Sequence, residues 1–563
     1  MKKLVLSLLA ATILASAAGL CPAETEPKPL VTVAFSGYDK LLSNVEMIGK
    51  LGGNPNLHKM LEMMLTMVTQ GKGLAGLDKK QPWGAVLLPD EQQTIVVFGF
   101  LPVVDFKQLM EVVKSNSSLG KIEEKDGVYE IPTPAFSLYI AQKGHWAVIA
   151  RNADDFARAP ADPAKLFGDL ASRYDLAARL SIKDIPAPLR ASALAAMQAG
   201  MQMGLEQMPN EADQEHALRS AAVRQGMQQM TTLLNESDNL TVGWKVDHAA
   251  KTSYLDVEVT AKPGTHLAQQ YAQIQPGKTA FAGFASPQAA VSGTWVTKLD
   301  DADVAQAKVA LTEMRKRVVS ELEKQNLSEG QIKLAKQLLT DALAVLEKTV
   351  EAKKLNGGLL VDLEPGKVTL LAGGTVAGGA KLDQILKQLV EEVKKDQPAV
   401  EDMVKLNAET YDGVRFHTLS VPSADPGLTR IFGDTLDVVL GVADDRVYIA
   451  AGHEPAKKLK AVLDRSKANR DQELLPMRIS FALRPIAKFL SELAEEENVK
   501  AKAAALAGAL KQTDGNDHLV LTTSPTANGF RVRLEAEPGL LKVVGALAPN
   551  LAAPGAGVAP ADQ

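Results

Sequence analysis

Asp126-Gly127-Val128-Tyr129-Glu130 recurs later in the chain as Asp412-Gly413-Val414-Arg415-Phe416, and this recurrence indicates how the 563 residues are organised. Two short apolar runs separated by a tight turn follow each copy, at 138–141 with 146–150 and at 438–443 with 447–451. Apolar runs joined in this way are typical of antiparallel strand pairs. The sequence therefore predicts the same hairpin in two places.

Further blocks recur around this one in the same order. Arg179-Leu180-Ser181-Ile182 matches Arg478-Ile479-Ser480-Phe481, and the period-two alternation over 255–259 returns over 530–534. The spacing between copies is far longer than that of a solenoid repeat. We interpret the chain as a tandem domain duplication, with a first repeat at 24–278, a second at 279–546, and a join near 277–288.

The fold class follows from composition and spacing. With 46% hydrophobic and 23% charged residues, the composition is that of a globular protein. Antiparallel strand pairs alternate with stretches of helical spacing, such as 106–113 and 382–393. These features predict an α+β protein with an antiparallel β-sheet and long amphipathic helices. Among the long helices, 188–234 is interrupted at Pro209-Asn210, and 303–355 forms a hairpin with a capping box at Ser328 and Gln331.

The two ends of the chain have distinctive compositions. Lys2 and Lys3 precede an apolar run at 4–14 and small residues at 15–19, a pattern that predicts a signal peptide over 1–23 and therefore export to the periplasm or the exterior. Cleavage after position 18 and after position 23 both fit. No later stretch is long and apolar enough for a transmembrane span. The Ala/Pro/Gly-rich residues 547–563 predict a flexible tail.

Cys21 is the single cysteine. A lipidation site requires a small residue before the cysteine, and Leu20 stands there, so lipid anchoring is not expected. A single cysteine also rules out an intramolecular disulfide. The net charge of −5, from 62 Lys+Arg against 67 Asp+Glu, argues against nucleic acid as a partner, since phosphate binding needs a basic surface.

Two segments resemble nucleotide-binding motifs. Residues 71–76, Gly-Lys-Gly-Leu-Ala-Gly, have the glycine spacing of a dinucleotide site, but a Met-rich helical segment precedes them where a strand is required. We interpret them as a helix end followed by a turn. Residues 276–279, Pro-Gly-Lys-Thr, end like a phosphate loop but lack its first glycine, and we interpret them as part of the join.

Neither a serine nucleophile nor a metal motif is convincing. Ser118 with Lys121, the Ser237-Asp238-Asn239 triplet and Lys278-Thr279 follow the order of the β-lactamase motifs, but Ser118 lies in a polar loop and Ala280 replaces the required glycine. No two of the eight histidines lie three or four residues apart, so we predict no metal and no cofactor. Histidines such as His145 and His216 are expected at the surface. The acidic clusters Asp444-Asp445, 391–392 and 495–497 are interpreted as solvated surface, with weak cation binding at Asp444-Asp445 as the alternative.

Methionines form a stripe on the long helical stretch of the first repeat. Flexible, polarisable methionine side chains suit irregular apolar surfaces that bind lipids or varied helices. Core packing along a helix is the alternative interpretation. The candidate ligand or partner surface consists of Met197, Met201, Met208, Met227 and Met230.

Gly76-Leu77-Asp78 followed by Pro82-Trp83-Gly84, and then by a strand pair, a helix and the motif at 126–130, resembles a family of exported bacterial proteins known as a domain of unknown function. The resemblance covers mainly residues 30–185. It implies export and an α+β fold and no particular activity. The second half departs from it, because the Pro-Trp-Gly motif is missing and a long helical hairpin is present.

These observations together favour an exported, non-catalytic protein that binds a partner protein, an envelope component or an apolar ligand. The catalytic alternative is an enzyme whose site is assembled from scattered residues in the cleft between the two halves. The recurrence weighs against it, because the polar residues differ between copies. Glu130 corresponds to Phe416, and Asp184 corresponds to Leu483.

Overall fold

The chain forms two compact units. The computed structural model describes residues 28–552 except 90–93, 116–119, 134–135, 161, 209–210, 212, 325–327, 424 and 512–515. The first unit comprises the chain up to Leu267 together with the residues from Val544, and the second comprises Ala268–Val543. The predicted boundary after residue 278 therefore falls within the second unit. The predicted signal segment with Cys21, and residues 553–563 of the predicted tail, lie outside the described residues.

Antiparallel strands form a sheet in the first unit. Across this sheet the order is β4-β5-β6-β7-β3-β2-β1-β8-β9-β10, so β1 is paired with both β2 and β8. In chain order the strands are β1 Val31–Phe35, β2 Trp83–Pro89, β3 Ile95–Pro102, β4 Glu123–Lys125, β5 Val128–Pro132, β6 Ser137–Lys143, β7 Trp146–Ala150, β8 Leu176–Ser181, β9 Ser237–Asp247 and β10 Thr252–Ala261.

The antiparallel strands of the second unit, called the second sheet below, have the order β14-β15-β16-β17-β13-β12-β11-β18-β19-β20. Its strands are β11 Val291–Lys298, β12 Lys354–Asp362, β13 Thr369–Thr375, β14 Val404–Tyr411, β15 Val414–Pro422, β16 Thr435–Val442, β17 Arg446–Gly452, β18 Met477–Ala482, β19 His518–Thr526 and β20 Gly529–Ala536. The two strand orders coincide when β1 is matched with β11, β2 with β12, and so on. A tandem duplication would produce this agreement, and the duplication itself remains our inference.

The helices connect the strands at matching places. In each unit a helical hairpin follows the first strand and another follows the eighth. In the first unit these hairpins are α1–α2 and α6–α7, and in the second they are α9–α10 and α15–α16. In chain order the helices are α1 Tyr38–Leu51, α2 Leu57–Val68, α3 Phe106–Lys114, α4 Pro163–Leu166, α5 Leu170–Arg173, α6 Ala187–Leu205, α7 Asp213–Glu236, α8 His266–Tyr271, α9 Asp301–Lys324, α10 Glu329–Glu351, α11 Gly379–Asp396, α12 Val400–Met403, α13 Pro426–Phe432, α14 Pro455–Ala468, α15 Leu483–Leu493, α16 Glu497–Leu510 and α17 Pro538–Ala552.

The recurring Asp-Gly pair forms a tight turn in both units. Asp126 and Gly127 have φ of 52° and 78°, and Asp412 and Gly413 have φ of 47° and 76°. Two successive residues with positive φ form the turn that matches the twist of an antiparallel hairpin, and Asp-Gly is a preferred pair for it. These turns join β4 to β5 and β14 to β15. The predicted hairpins that follow, β6–β7 and β16–β17, are confirmed.

The long helices confirm part of what the sequence predicts. Ser328 caps α10 with a complete capping box, in which Ser328 N donates to Gln331 Oε1 at 2.9 Å and Gln331 N donates to Ser328 Oγ at 3.3 Å. The helical hairpin predicted over 303–355 corresponds to α9 and α10. Apolar side chains are concentrated on one side of α11 and α15, whereas they are distributed around α6 and α7. The break predicted at Pro209-Asn210 lies outside the described residues.

The largest core cluster of each unit lies on one side of its sheet. In the first unit Phe98, Phe100 and Phe167 are at most 1% exposed and pack with neighbouring aliphatic side chains. In the second unit Phe281 and Phe284 are fully buried against Tyr448, and burial raises the pKa of Tyr448 to about 12. Residues 277–288, which the sequence suggests as the join, thus supply core side chains to the second unit.

A buried polar network attaches α1 to the end of the first sheet. Asp175 is 1% exposed and accepts hydrogen bonds from Asn44 Nδ2 and from the backbone N–H of Val246, both at 2.8 Å. Lys40 lies 3.0 Å from its other carboxylate oxygen. Buried charges are retained in proteins when they are paired in this way. The network therefore fixes where the hairpin α1–α2 leaves the sheet.

A segment that follows the second unit in the chain completes the first unit. Asn54 Nδ2 donates a hydrogen bond of 2.8 Å to the backbone oxygen of Gly545 in α17. At this contact Gly52 and Gly545 approach so closely that a Cβ on Gly52 would lie 2.2 Å from the backbone of Gly545. Because α17 extends to residue 552, the predicted tail begins inside a helix.

Candidate functional site

Successive residues of the central strands point to two very different environments. In β3, Val96, Phe98 and Phe100 belong to the core and are 8%, 1% and 0% exposed. The alternating residues, Val97 among them, point to the opposite side and are only half-buried. Strand residues alternate between the two sides of a sheet, so this second side is a separate surface.

This second side of the first sheet is apolar along three rows of paired residues. The rows cross β2, β1, β8, β9 and β10, and no member of them is buried. We call this surface the first apolar face. Its rows are Leu87, Val31, Leu180, Leu240 and Val259; Ala85, Val33, Ala178, Val242 and Val257; and Trp83, Phe35, Leu176, Trp244 and Leu255.

The second unit has a corresponding surface across β12, β11, β18, β19 and β20, which we call the second apolar face. Thr523, which is buried, is its one polar side chain. Leu359 is 36% exposed, and Leu370 and Ile449 on the adjoining strands are 40% and 49% exposed. The rows are Val361, Val291, Phe481, Leu519 and Ala536; Leu359, Gly293, Ile479, Leu521 and Leu534; and Gly357, Trp295, Met477, Thr523 and Val532.

The size of these faces limits what they can bind. Five strands about 4.8 Å apart span about 19 Å, and three alternate residues extend about 13 Å along the strands. Isolated exposed apolar side chains are ordinary, whereas contiguous apolar patches mark sites of interaction. Val242 and Leu255 on the first face are 38% and 40% exposed. Each face can therefore cover an elongated apolar group.

The tryptophans are concentrated on these surfaces. Trp83 and Trp244 belong to the first apolar face and Trp295 to the second, whereas Trp146 packs against Phe100 and Phe167 on the core side. Trp83 also contacts Phe35 edge-to-face, with ring centroids 4.8 Å apart. Three of the four tryptophans thus lie where a ligand on either face would change their surroundings.

The candidate methionines all belong to one helical hairpin and its connection. Met197 and Met201 of α6 and Met227 of α7 are half-buried. Met208 in the connection is 57% exposed, and Met230 of α7 is 44% exposed. Met208 and Met230 are therefore the most accessible of the five. A ligand contact at any of the five stays a prediction.

The motif-like segments adopt the structures expected for turns. Helix α2 ends at Val68, and Gly71, Gly73 and Gly76 all have positive φ, as in a loop. Gly277 forms a β-bridge with Leu474, so Pro276–Thr279 is an ordered part of the second unit. Ser118 lies outside the described residues.

Among the described residues, no group of three or more His, Cys, Asp and Glu side chains could hold a metal ion. His145 lies exposed in the turn between β6 and β7, as predicted, and His216 lies on α7, 3.4 Å from Glu211. Asp445 is paired with Arg446 at 2.9 Å. Glu391 and Glu392 are each paired with a lysine of their own helix, α11. Glu497 is paired with a lysine of α16.

Sequence reasoning missed a buried histidine of the second unit. His417 on β15 is 4% exposed, and its Nε2 lies 2.8 Å from Asp383 Oδ1 on α11. Burial lowers the pKa of His417, and the nearby Asp383 carboxylate opposes this shift. Burial would raise the pKa of Asp383, but the hydrogen bond and charge of Lys387 lower it overall. The apolar residues around His417 in β15 conceal this pair in the sequence.

In the described part of the chain, no helix has the combination of length and apolar character that would let it cross a bilayer.

No protein-family model, curated protein or solved structure matches this chain. The resemblance of residues 30–185 to the family of unknown function therefore stays a prediction.

Proposed function

We propose that this is a non-catalytic binding protein whose two apolar faces hold the hydrocarbon part of an amphiphilic ligand. The observation that carries this proposal is the contrast within single strands. Phe98 and Phe100, which face the core, are at most 1% exposed to solvent. Their neighbour Val97 points to the opposite side of the sheet and is only half-buried. Burying apolar surface gives roughly 25 cal/mol per Å², so a ligand that covers such a face binds favourably.

The chemistry of the faces favours a hydrocarbon chain over a protein partner. Protein interfaces carry hydrogen bonds at a density of about one per 100–200 Å², and their charged rims fix orientation. No side chain in the rows of the first apolar face offers a charge. Of its two indole N–H groups, that of Trp244 is bonded to Ser253 at 2.9 Å and that of Trp83 is buried without a partner among the described residues. The hydrocarbon core of a bilayer is about 30 Å thick, so one acyl chain, at about 15 Å, fits within a face about 19 Å wide.

The enzymatic alternative needs a nucleophile with a free base, and the best-placed histidine is engaged on both sides. His518 Nδ1 lies 2.7 Å from Glu537 Oε2, and its Nε2 lies 3.0 Å from the backbone oxygen of Pro287. Both ring nitrogens thus contact acceptors of this chain, and no described contact directs either of them at a serine hydroxyl. This geometry supports a binding role. An exported location and an envelope partner remain predictions from residues 1–23.

Fluorescence quenching by a brominated fatty acid tests the proposal, because bromine quenches indoles that it contacts. We expect saturable quenching of the fluorescence of Trp83, Trp244 and Trp295, whereas the fluorescence of Trp146 should not change. Combining Val242→Asp with Leu359→Asp places a charge on each face, which an acyl chain cannot solvate, and should abolish the quenching. Val104, which is 72% exposed and lies outside both faces, provides the matched control Val104→Asp.

The same test can reject the proposal. Quenching that is equal in the double variant and in the control would place the fatty acid elsewhere, and no saturable quenching would remove hydrocarbon binding. Native mass spectrometry of protein purified from its own cells gives an independent measure. An additional mass that is released by solvent extraction supports the proposal, whereas an unliganded mass favours the predicted partner protein.

A further inference from the structure

A small polar cavity lies on the core side of the second sheet, behind the second apolar face. It encloses about 270 Å³ and is formed by β11, β18 and β19 with the segments beside them. This volume is below the usual range of about 300–1,000 Å³ for drug-sized ligands, so only a small molecule fits. Its polar lining consists mainly of Ser292, Thr294, Arg478, Ser480, His518 and Glu537.

Buried hydroxyl groups line this cavity without partners. Ser292 lies opposite Ser480 in the strand register, and both are 5% exposed. Thr294, two residues further along β11, is 2% exposed. Within the described part of the chain, none of these three hydroxyls has a hydrogen-bond partner. These three hydroxyls line the cavity, so each can donate or accept a hydrogen bond to a ligand held there.

Arg478 adds an uncompensated positive charge to the same cavity. It lies opposite Thr294 on β18, is exposed, and forms no hydrogen bond or ion pair with any described residue. A guanidinium group presents several N–H donors in a plane, which suits the paired oxygens of carboxylates and phosphates.

The first unit provides an internal comparison. Arg179 holds the matching place on β8, opposite Thr32, and lines a cavity of about 280 Å³. There the guanidinium is occupied, since Arg179 Nη2 lies 2.8 Å from Asp169 Oδ1 and its Nε donates to Thr241 Oγ1 at 3.2 Å. The two cavities thus share a threonine–arginine arrangement but differ in whether the arginine is free.

Glu537 limits the charge that the cavity of the second unit accepts. Its carboxylate faces His518, with which it forms a contact of 2.7 Å, and its backbone N–H donates to the His518 carbonyl oxygen. A second negative charge on a ligand would be repelled by this carboxylate. A ligand that bears one oxyanion group and a hydrogen-bond donor fits both ends of the cavity.

We propose that Arg478 and the hydroxyls of Ser292, Thr294 and Ser480 bind the oxyanion group of a small ligand with a single negative charge. The shared chemistry is that of a carboxylate or a singly charged phosphate ester. This site is separate from the apolar faces, because its side chains point to the other side of the sheet. It does not depend on the function proposed above.

Isothermal titration of the full chain at about pH 6, where acetate and inorganic phosphate carry one charge and sulfate carries two, tests this site and distinguishes the source of the oxyanion. Sulfate should bind most weakly of the three. We expect saturable binding that Arg478→Gln weakens about tenfold or more, as for the loss of a charge-assisted hydrogen bond. Ser480→Ala should weaken it by a smaller factor, and Glu537→Gln should strengthen it. Tighter binding of acetate would assign a carboxylate ligand, and tighter binding of phosphate would assign a phosphate ester.

Arg470→Gln is the matched control. Arg470 is an exposed arginine whose nearest carboxylate partner, the neighbouring Asp471, is 3.8 Å away, so its loss changes the net charge equally. Binding that is unchanged in Arg470→Gln and lost in Arg478→Gln supports the site. Equal weakening in both variants would show a general charge effect and overturn the proposal, and so would the absence of binding by all three anions.

Discussion

His417 and Asp383 lie 2.8 Å apart on the side of the second sheet that faces away from its core. In the first unit the corresponding strand position holds Ile131, which packs in an apolar cluster with Met110 of α3. The second unit thus has a buried ionisable pair where the first has aliphatic packing. Lys387 and Arg415 also face Asp383, at 2.9 Å and 3.8 Å.

This pair should make the second unit sensitive to acid. Because burial lowers the pKa of His417 in the folded state, the unfolded chain takes up a proton first as pH falls below about 6.5. Stability should therefore decrease from there down to the folded pKa, while Asp383 remains charged because its own pKa is lowered. Melting temperatures from pH 8 to pH 5 measure the effect. His417→Gln should flatten this slope, whereas the exposed control His145→Gln should not.

Removing the carboxylate of the His417–Asp383 pair alone should lower the free energy of unfolding more than replacing both residues by apolar ones. Asp383→Asn leaves His417, Lys387 and Arg415 without their carboxylate, and we expect a loss of about 1–3 kcal/mol in the free energy of unfolding. Combining His417→Ile with Asp383→Met copies the first unit and should be neutral or stabilising. Urea unfolding of both variants measures the difference. A double variant that is less stable than Asp383→Asn would contradict this account.

A glycine in β12 tests the assignment of residues 281–284 to the core of the second unit. A Cβ on Gly358 would lie 2.4 Å from the ring of Phe284, so Gly358→Ala must displace a fully buried aromatic side chain. We expect a loss of about 1–3 kcal/mol from overpacking. Gly226 on α7 has no atom near its added Cβ, and Gly226→Ala should stabilise the protein by up to about 1 kcal/mol. A neutral Gly358→Ala would mean that residues 281–284 pack loosely.

The two Asp-Gly turns should respond equally to substitution. Gly127 and Gly413 have φ of 78° and 76°, and neither has a neighbour near the position of a Cβ. Alanine at either position therefore causes no steric clash and only strains the backbone, which should lower the free energy of unfolding by about 1–2 kcal/mol. Chemical denaturation of Gly127→Ala and Gly413→Ala measures both. Costs that differ by more than about 1 kcal/mol would argue against equivalent turns.

Local features of the fold could be predicted because they depend on neighbouring residues. The Asp-Gly turn at 126–127 and the capping box of Ser328 each need only a few adjacent side chains. The α+β class followed from the same local patterns. The order of the strands could not be predicted, because β1 pairs with β8 across more than a hundred residues, and the sequence does not record that register.

The candidate sites were visible only in part. The alternation of Leu255 and Val259 predicted a strand with one apolar side, but not that the apolar sides of five strands align into one face. Arg478 and Ser480 were identified as a recurring block. Their chemistry, however, depends on Arg478 having no ion pair among the described residues, whereas Arg179 is paired with Asp169. The methionine surface rested on a helical pattern that does not reveal which side a helix covers.

The hydrogen bond between Asn54 and Gly545 has a consequence for the order in which the chain is built. The first unit contains a helix segment that follows the second unit in the chain, so its packing cannot be completed until the second unit has been synthesised. The second unit, whose residues are contiguous, has no such delay. Loss of α17 would therefore destabilise the unit whose residues are synthesised before those of the second unit.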